Sequence, residues 1–403
     1  MHAKSVARHL ITTPQRQTTY TTPHSAAAAV DTDVAAAVNR ELDLVCGEFV
    51  EYSRSLDAVF ARDVAERLAV FVLGGGSRIR PRFLWWAMRA CGGTDSHAPG
   101  ALRVAAALEL IQSCALIHDD VMDQSTVRRG RPSFHTQIAL QYPAAEPPHG
   151  AGPSPFAQSA AVLAGDLALS CADDLVADVD LEPPVRTHVL RIWRAMRTEM
   201  VAGQYLDLHG QATTSRSAVQ AIRTVCLKTA RYTVERPLAL GAALAGADDA
   251  TTRALTAAGR CAGIAFQLRD DLLGVFGDPQ VTGKPSGDDI RSGKATYLLA
   301  LTHSRARATG ATAVIDLLRD CRGSGDLSGP TLSAVRDALR STGAPAQVER
   351  RIERLVRASE RHLAAARIQG PAAHHLAKLL RRVASPPRHA TAAAPADPQG
   401  DSR

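Results

Sequence analysis

The sequence predicts an all-α protein with one large helical domain, and three observations support that fold class. Hydrophobic residues make up 45% of the 403 residues but aromatic residues only 4%, with alanine and leucine dominant. This composition favours helices over sheets. Apolar positions recur at helical spacing over most of the chain, and no alternating strand pattern of any length is present. We therefore expect a single domain over residues 31–385 with a polar tail at each end.

The N-terminal elements follow from this spacing. Residues 1–30 are rich in Thr, Ser, Gln and Ala without a period, so we expect a disordered tail. From Val34 to Leu73 the apolar residues keep helical spacing, and the glycine triplet at residues 74–76 ends that helix. Pro81 suits the first turn of the next helix. Residues 101–123 then predict a strongly apolar helix that ends in acidic residues.

The remaining elements are a loop, a series of helices and a second tail. Prolines and glycines in residues 141–156 predict a surface loop within the domain, because helical patterning resumes directly after it. Residues 386–403 are Pro, Ala and polar residues and predict a disordered tail. Helices are expected over residues 157–178, 184–211, 215–246, 249–276, 294–307, 311–322, 330–341, 345–368 and 371–384.

Composition narrows the class of protein and its compartment. The seven cysteines are scattered and lack Cys-x-x-Cys spacing, which argues against a disulfide framework or a zinc site and favours the reducing cytoplasm. The net charge of +7 is only weak evidence for an anionic partner. The sequence lacks the combined basic and aromatic pattern of a nucleic-acid-binding surface, so no nucleic acid is expected as a partner. No uncharged apolar run is long enough to span a bilayer, so no transmembrane segment is expected. The acid-poor N-terminus leaves a transit peptide as an alternative to a plain tail.

The strongest functional signal is an acidic cluster next to an arginine pair. Asp119, Asp120 and Asp123 end the apolar helix, and Arg128 and Arg129 follow closely. Asp119 and Asp123 lie on one helix face, where like charges destabilise the helix unless something neutralises them. Divalent cations with oxygen ligands do so, and arginines suit phosphate oxygens. The pattern predicts a metal-bridged polyphosphate site, and the alternative is a solvated helix end paired with the two arginines.

A second acid pair with basic residues strengthens this interpretation. Asp270 and Asp271 end another mostly apolar helix, and Lys284 and Lys294 follow on glycine-rich backbone that can approach an anion closely. Each basic residue is a weak signal alone, and none fits a P-loop. Further candidate anion ligands near glycines or helix starts are Lys228, Arg78 and Arg80.

These residues resemble the trans-isoprenyl diphosphate synthases, the family that makes farnesyl, geranylgeranyl and longer polyprenyl diphosphates. The resemblance covers nearly all of the expected domain, and residues 266–294 are most similar to actinobacterial geranylgeranyl diphosphate synthases. The motifs that carry it are residues 75–81 (GGSRIRP), 118–123 (HDDVMD), 128–132 (RRGRP), 165–166 (GD), 203–207 (GQYLD), 228–229 (KT), 266–267 (FQ), 270–271 (DD) and Lys284.

The resemblance implies a helical bundle around a central cavity, usually as a homodimer, that joins isopentenyl diphosphate to an allylic diphosphate. It implies about three Mg²⁺ ions per site, as other enzymes use Mg²⁺ with substrate phosphates, with Mn²⁺ as a substitute. Asp119 and Asp123 would hold two ions and Asp270 the third, with Asp120 and Asp271 beside them.

The same resemblance implies how the two substrates are held. The residues implied for the allylic diphosphate are Arg128, Lys228, Thr229, Gln267, Lys284 and Lys294. Those implied for isopentenyl diphosphate are Arg80, Arg129 and Gln112, with Arg78 as a further candidate. The residues expected to carry catalysis are Asp119, Asp123, Arg128, Lys228, Asp270 and Lys284.

Two positions depart from the family pattern. Ser77 stands where the family usually has lysine, which removes one contact to isopentenyl diphosphate, and Arg78 is a candidate substitute. Gly274 stands where the second acid motif usually ends in aspartate. We expect the second departure to be minor, because the first aspartate of that motif is the expected ligand.

Product length is expected to depend on the helix that leads into Asp119. Ala115, Cys114 and Ile111 precede it, and one helical turn rises about 5.4 Å, close to one isoprene unit. Small side chains at 114 and 115 would let the product pass and Ile111 would be its floor, which predicts the C20 product geranylgeranyl diphosphate. Farnesyl or longer products are the alternatives, as is simple packing of these side chains between helices.

The sequence therefore predicts a Mg²⁺-dependent prenyltransferase. One alternative is a class I terpene cyclase, which ionises the same substrate on a similar fold. The arginine pair and the second acid pair disfavour it, because a cyclase needs no isopentenyl diphosphate site. The other alternative is a non-catalytic subunit that tunes a partner synthase, which two intact acid clusters disfavour.

Overall fold

Helices make up most of the described chain, which confirms the expected all-α fold. The structure is a computed structural model that describes residues 26–143, 154–213, 217–278, 286–321 and 329–384. The first half contains α1 (Ala26–Thr32), α2 (Val34–Leu56), α3 (Ala58–Phe60), a π-helical turn (Ala61–Ala65), α4 (Glu66–Leu73), α5 (Ile79–Ala90), a 3₁₀ turn (Asp95–His97), α6 (Ala98–Met122), α7 (Phe134–Gln141) and α8 (Pro155–Ala177). The second half contains α9 (Pro183–Ala212), α10 (Ala218–Val225), a π-helical segment (Cys226–Glu235), α11 (Arg236–Leu244), α12 (Asp249–Phe276), α13 (Asp288–Arg291), α14 (Tyr297–Thr309), α15 (Thr312–Asp320), α16 (Gly329–Ser341), α17 (Ala344–Ala365) and α18 (Gly370–Ala384).

The expectation of one continuous helix from Val34 to Leu73 is wrong. Asp57 adopts an extended conformation at φ −163°, ψ 134°, and its carboxylate accepts a hydrogen bond from the Phe60 amide at 2.8 Å. A side chain that satisfies a free amide in this way starts a new helix. The hydrophobic spacing continues across the break, so the break could not be read from spacing alone.

Residues 26–30 were expected to be part of a disordered tail but are helical. Helix α1 begins at Ala26, and the side chains of Ala27 and Val30 are buried in the main core. The Ala27 amide also donates to Asp95 at 3.0 Å. Residues 1–25, the tail after 384 and residues 144–153 of the proline-rich loop lie outside the described residues.

A short hairpin that the sequence did not indicate follows α6. Strands β1 (Val127–Arg128) and β2 (Arg131–Pro132) pair antiparallel, with Val127 opposite Pro132 and Arg128 opposite Arg131. The two turn residues Arg129 and Gly130 have φ of 53° and 72°. Positive φ at both positions is the backbone of a tight hairpin turn, and it favours glycine at the second one. With two residues per strand, the hairpin leaves no alternation to detect in the sequence.

Helix α6 lies in the middle of the larger of two hydrophobic clusters, which also includes parts of α2, α5, α8, α9 and α11. The second cluster joins the C-terminal half of α12 to α14 and to the helices after it. Among the described residues, the segment Asp95–Met122 is the one that is long and apolar enough to cross a membrane, but 67% of its most apolar window is buried inside the fold. Core helices share that composition, so its burial explains the apolar run before the first acid cluster.

Candidate active site

Three carboxylates lie at the C-terminal end of α6, and the chain brings cations to them. Asp120 is fully buried and accepts a hydrogen bond from Arg128 Nε at 2.9 Å. Arg128 Nη2 also lies 3.3 Å from Asp119 Oδ2, and Lys228 Nζ donates to Asp119 Oδ1 at 3.2 Å. A helix C-terminus already carries partial negative charge, so positive side chains at this end of α6 stabilise both the helix and its acids.

The protonation of this cluster reflects those cations. Burial alone would raise the pKa of Asp119, but the charges of Lys228, Lys294 and Arg128 lower it below its usual value. Burial would likewise lower the pKa of Arg128, yet its hydrogen bonds and proximity to Asp120 and Asp119 raise it. Asp119 is therefore ionised and paired, which is the state that a metal ligand needs.

Helix α9 supplies two more partners through the motif at residues 203–207. Gln204 Nε2 donates to Asp119 Oδ1 at 3.1 Å, and Asp207 accepts a hydrogen bond from Lys228 Nζ at 2.7 Å. A side chain at Gly203 would overlap the backbone of Lys228, so glycine allows α9 to approach the segment that carries the lysine. Lys228 thus bridges α6 and α9, and the two carboxylates raise its pKa although burial opposes them.

Lys228 and Thr229 lie on the π-helical segment Cys226–Glu235, where one continuous helix over residues 215–246 was expected. Pro237 follows at the start of α11 and has no amide hydrogen, and its ring crowds the carbonyl four residues earlier. Gly263 of α12 would collide with Ala230 if it carried a side chain. The proline and the close neighbours favour a widened helix, a feature that is frequent at functional sites.

The second acid pair lies at the C-terminal part of α12 and has fewer partners. Asp271 is buried, and its Oδ1 accepts a hydrogen bond from Gln267 Nε2 at 2.9 Å. Thr229 in turn donates to Gln267 Oε1 at 2.8 Å, while Asp270 is exposed. Burial raises the pKa of Asp271 well above its usual value, and the charges of Asp289 and Asp270 add to the rise. This carboxylate is therefore destabilised in its ionised form.

Lys294 pairs with the last carboxylate of the first cluster. Its Nζ lies 3.2 Å from Asp123 Oδ2, and the charges of Asp123, Asp289, Asp207 and Asp119 raise its pKa although burial opposes them. Lys284, the other lysine expected after α12, lies outside the described residues. Lys228 and Lys294 are therefore both paired with carboxylates of the first cluster.

Two buried carboxylate oxygens have no hydrogen-bond partner, one in each cluster: Oδ2 of Asp120 and Oδ2 of Asp271. Unpaired buried oxygens of this kind fit a site that takes a hard divalent cation. Within the described residues, no three metal-ligating side chains converge on one point.

Arg78 is buried away from both acid clusters. Its guanidinium donates to Glu109 at 2.6 Å, to Asn39 at 2.9 Å and to the Val72 carbonyl at 3.0 Å. Its φ of 47° is uncommon for a residue with a side chain. Because all three guanidinium nitrogens of Arg78 bond within the protein, this geometry argues against Arg78 as a substitute for the family's lysine. Ser77, which stands at the lysine's position, is exposed and uncharged.

The other residues expected for the second substrate lie near this turn. Arg80 donates to Thr233 at 2.9 Å and lies over the Tyr232 ring, 4.5 Å from its centroid, but its Nε has no partner. Arg129 donates to the Gly75 carbonyl, and the pKa of Arg129 is lowered by burial and by the nearby charges of other arginines. Gln112 Oε1 is also buried without a partner. The glycine turn and the hairpin therefore bring arginines together, as an anion site requires.

Comparison with known proteins identifies this arrangement. The family model described as polyprenyl synthetase matches residues 62–325, which is more than half of the chain. The chain belongs to the polyprenyl synthetase family. The crystal structure of a geranylgeranyl pyrophosphate synthase from Corynebacterium glutamicum, complexed with isoprenyl diphosphate and magnesium, has a TM-score of 0.77 and 37% identity, over 86% of this chain and 98% of that one.

Curated relatives in the polyprenyl synthetase family differ in product. A geranylfarnesyl diphosphate synthase of Aeropyrum pernix is 32% identical over 61% of this chain and 71% of its own length. A (2E,6E)-farnesyl diphosphate synthase of Mycobacterium bovis is 35% identical over 66% of this chain and 68% of its own length. The chain is thus a prenyltransferase of a family that uses isopentenyl and allylic diphosphates with a divalent metal, while similarity alone leaves its product length open.

The residues expected to set product length are packed inside this polyprenyl synthetase fold. Ile111 is fully buried and Cys114 is 3% exposed, while Ala115 is half-buried. Cys114 Sγ lies 3.7 Å from His118 Nδ1, and His118 Nε2 donates to the Val162 carbonyl at 3.1 Å. The face of α6 that carries Cys114 therefore points towards α8, and burial raises the pKa of the Cys114 thiol to about 12.

Gln204 and Asp207 lie in the motif at residues 203–207, but the sequence indicates no role for either of them. The sequence also gives no indication of Asp289, which lies close to both Asp271 and Lys294. A glutamine one residue after a glycine and an aspartate four residues after it carry no strong signal by themselves. Their positions depend on how α9 and α13 pack, which no local pattern reveals.

Proposed function

We propose that this chain is a geranylgeranyl diphosphate synthase, which condenses isopentenyl diphosphate with allylic diphosphates up to C20. The observation that carries the proposal is the pair of acid clusters at the ends of α6 and α12, with Arg128, Lys228 and Lys294 paired to the carboxylates of the first. Such a site suits a diphosphate whose charge must be neutralised as it leaves.

In this proposal about three Mg²⁺ ions bind with the allylic diphosphate, since Mg²⁺ in such sites uses substrate phosphates as ligands. Asp119 and Asp123 hold two of them and Asp270 the third, with Asp120 and Asp271 behind them; Mn²⁺ would serve as a substitute. The unpaired oxygens of Asp120 and Asp271 support this assignment. When bound, the ions neutralise the diphosphate and act as Lewis acids on its oxygens.

The cationic and amide side chains would hold the diphosphates. Arg128, Lys228 and Lys294 now pair with carboxylates at 2.5–3.3 Å and can turn to phosphate oxygens without leaving the site. Gln267, Thr229 and Lys284 complete the allylic site in the proposal. For isopentenyl diphosphate the proposed ligands are Arg80, Arg129 and Gln112, and the unpaired Nε donor of Arg80 supports the first of them.

The chemistry that these residues favour is ionisation followed by condensation. Positive side chains aimed at the departing diphosphate stabilise the charge that develops on it. The double bond of isopentenyl diphosphate attacks the resulting allylic cation, and the proton lost afterwards goes to the departed diphosphate. The apolar helix α6 excludes water, which would otherwise quench the cation.

The C20 product rests on the side chains along α6. Cys114→Phe is expected to shorten the product and Ile111→Ala to lengthen it, with Ala115→Leu as a second obstruction closer to the acids. Chromatography of dephosphorylated products would show the shift. If all three variants give the wild-type product, the floor of the cavity lies elsewhere and the C20 assignment loses its basis.

One assay tests the family function in this chain. Purified protein is incubated with Mg²⁺, labelled isopentenyl diphosphate and farnesyl diphosphate, and an elongated C20 diphosphate is expected. A cyclic hydrocarbon from geranylgeranyl diphosphate without use of isopentenyl diphosphate would indicate a terpene cyclase. No elongation with any C5 to C15 allylic partner, but enhancement of another synthase, would indicate a non-catalytic subunit.

We further infer that the protein acts as a cytoplasmic homodimer. Large apolar side chains are exposed on α7, α8 and α9, namely Leu140, Phe156, Val162, Leu163, Val201 and Tyr205. Patches of this kind mark association surfaces. A monomeric mass by light scattering at micromolar concentration would contradict the dimer.

A further inference from the structure

The second acid motif lacks its usual last aspartate, and the space next to that position is not empty. Gly274 stands at that position on α12. A Cβ atom placed on Gly274 would lie 3.2 Å from Asp289 Oδ2, a carboxylate from α13. The charge that the motif lacks in sequence is therefore present beside it in space.

The backbone fixes Asp289 at this place. The amide of Gly287 donates to the carbonyl of Gly274 itself at 2.8 Å, so α13 begins against the same residue of α12. Ile290, the next residue after Asp289, is 2% exposed and packs in the second hydrophobic cluster. The Lys294 amide donates to the Asp289 carbonyl at 2.9 Å. Contacts on both sides of Asp289 thus hold α13 on the end of α12.

The surroundings of Asp289 are those of the second acid cluster. Among charged neighbours, Asp289 is the one that acts most strongly on Asp271, whose buried Oδ2 has no hydrogen-bond partner. Asp289 also acts on Lys294, which reaches Asp123 of the first cluster. The charges of Asp289 and Asp270 both act against ionisation of Asp271, so a cation bound there would relieve this repulsion in addition to the charge that Lys294 brings.

We propose that Asp289 supplies the carboxylate that Gly274 lacks and helps to hold the divalent cation at the second acid cluster, directly or through its water shell. The proposal rests on the proposed function, and it changes the expectation that the glycine is a minor departure. The loss at 274 is compensated from α13. The competing explanation is that Asp289 only fixes α13, and the experiment must separate the two.

Isothermal titration calorimetry of inorganic pyrophosphate at a series of Mg²⁺ concentrations measures the site without turnover. The variants are Asp289→Asn, the double variant Gly274→Asp with Asp289→Asn, and Asp278→Asn as a control that removes an exposed carboxylate just after α12. Asp289→Asn is expected to need about tenfold more Mg²⁺ for half-maximal pyrophosphate affinity, the usual cost of losing a group that supports a metal ligand. Restoring an aspartate at 274 is expected to recover most of that loss.

The outcomes separate cleanly. A wild-type protein without Mg²⁺-dependent pyrophosphate binding would overturn the proposed function as well. Normal wild-type binding with an unchanged Asp289→Asn midpoint would overturn the role of Asp289 alone. Failure of Gly274→Asp to recover the loss would do the same, and so would an Asp289→Asn chain that loses its helical circular dichroism, since Asp289 would then be structural. If Asp278→Asn raised the Mg²⁺ requirement as much as Asp289→Asn does, the effect would come from net charge alone, which would also overturn the role of Asp289.

Discussion

The two acid clusters contain the same chemical groups, but Asp119 of the first and Asp271 of the second have opposite electrostatic surroundings. Asp119 at the end of α6 has Lys228, Arg128 and Gln204 within 3.3 Å. Asp271 at the end of α12 accepts a hydrogen bond from the neutral Gln267, and the charges of Asp289 and Asp270 act against its ionisation. The pKa of Asp119 is lowered and that of Asp271 is raised. Asp119 is thus balanced by cations before ligand binds, whereas Asp271 would gain from added positive charge; within the first cluster burial also raises the pKa of Asp120.

This difference suggests an order of assembly. A preformed, charge-balanced cluster can receive the metal-bound diphosphate with little rearrangement. The second cluster gains most from the ligand, because a cation there relieves repulsion that the free protein carries. Three measurements test this contrast, and a fourth tests the site of the second substrate.

The largest effect is expected for the first cluster. Asp119→Asn should lower kcat by about 100-fold or more, because it removes a proposed ligand of the ions that would stabilise the charge on the leaving diphosphate. Asp271→Asn should lose less, since Asp271 is buried behind Gln267. Incorporation of labelled isopentenyl diphosphate measures both, with Asp278→Asn as the control. An equal loss in the two variants would mean that the clusters contribute alike.

A matched pair of glycines tests the packing on each side. Gly203→Ala forces a methyl group into the backbone of Lys228 and should destabilise the protein by about 1–3 kcal/mol. Gly274→Ala meets only the flexible end of Asp289 and should change the free energy of unfolding by less than about 1 kcal/mol. Chemical denaturation gives both values. A tolerant Gly203 would show that Lys228 is not held as tightly as its contacts suggest.

The sign of a stability change distinguishes the two carboxylates. In the ligand-free protein Asp271→Asn should increase stability by about 1 kcal/mol near pH 8, as replacing strained active-site groups often does. Because the folded pKa of Asp271 is raised, wild-type stability falls as pH rises above the unfolded value of about 4, so the gain should vanish in acid. Asp119→Asn should instead destabilise at neutral pH. Denaturation between pH 4 and 8 would contradict the contrast if both variants moved in the same direction.

The smallest effect concerns the second substrate. Ser77→Lys should lower the KM for isopentenyl diphosphate by about twofold to fivefold, the size expected of an exposed charge pair. Ser77→Met adds similar bulk without charge and should leave the KM unchanged. If Ser77→Lys has no effect, Arg80 and Arg129 already balance that diphosphate, and the lysine missing from the motif is of no consequence here.

Much of the fold was predictable because its helices are regular and amphipathic or uniformly apolar. The end of α12 at Phe276 agrees with the end of the helical spacing of apolar residues. Asp119 and Asp271 lie near the C-terminal ends of α6 and α12, where charged residues interrupt the apolar pattern. The interruption at Asp57 and the π-helical segment were not predictable, because both depend on capping and on contacts across helices rather than on period.

For the site, residue types were easier to predict than partners. The acids of the first cluster and Arg128 were expected to lie together, and Arg128 does donate a hydrogen bond to Asp120. Arg78 was expected near substrate, yet Glu109 and Asn39 on other helices hold it in the interior. Asp289 lies in the glycine-rich stretch before Lys294, and the sequence there gave a signal only for the lysines. Both differences come from long-range packing, which a single sequence does not encode in any local pattern.

The apolar character of α6 also matters while the chain is being made. One of its partners is α8, whose Gly165 leaves room for the His118 ring and which follows the proline-rich loop in the chain. At about 5–20 residues per second, a ribosome needs several seconds to deliver that helix after α6 has emerged. During this interval the nascent chain exposes a segment with the composition of a membrane helix. Chaperones that shield nascent chains would therefore compete with aggregation and bilayer contact, and slow production or cooling should change the yield of folded protein more than its final stability.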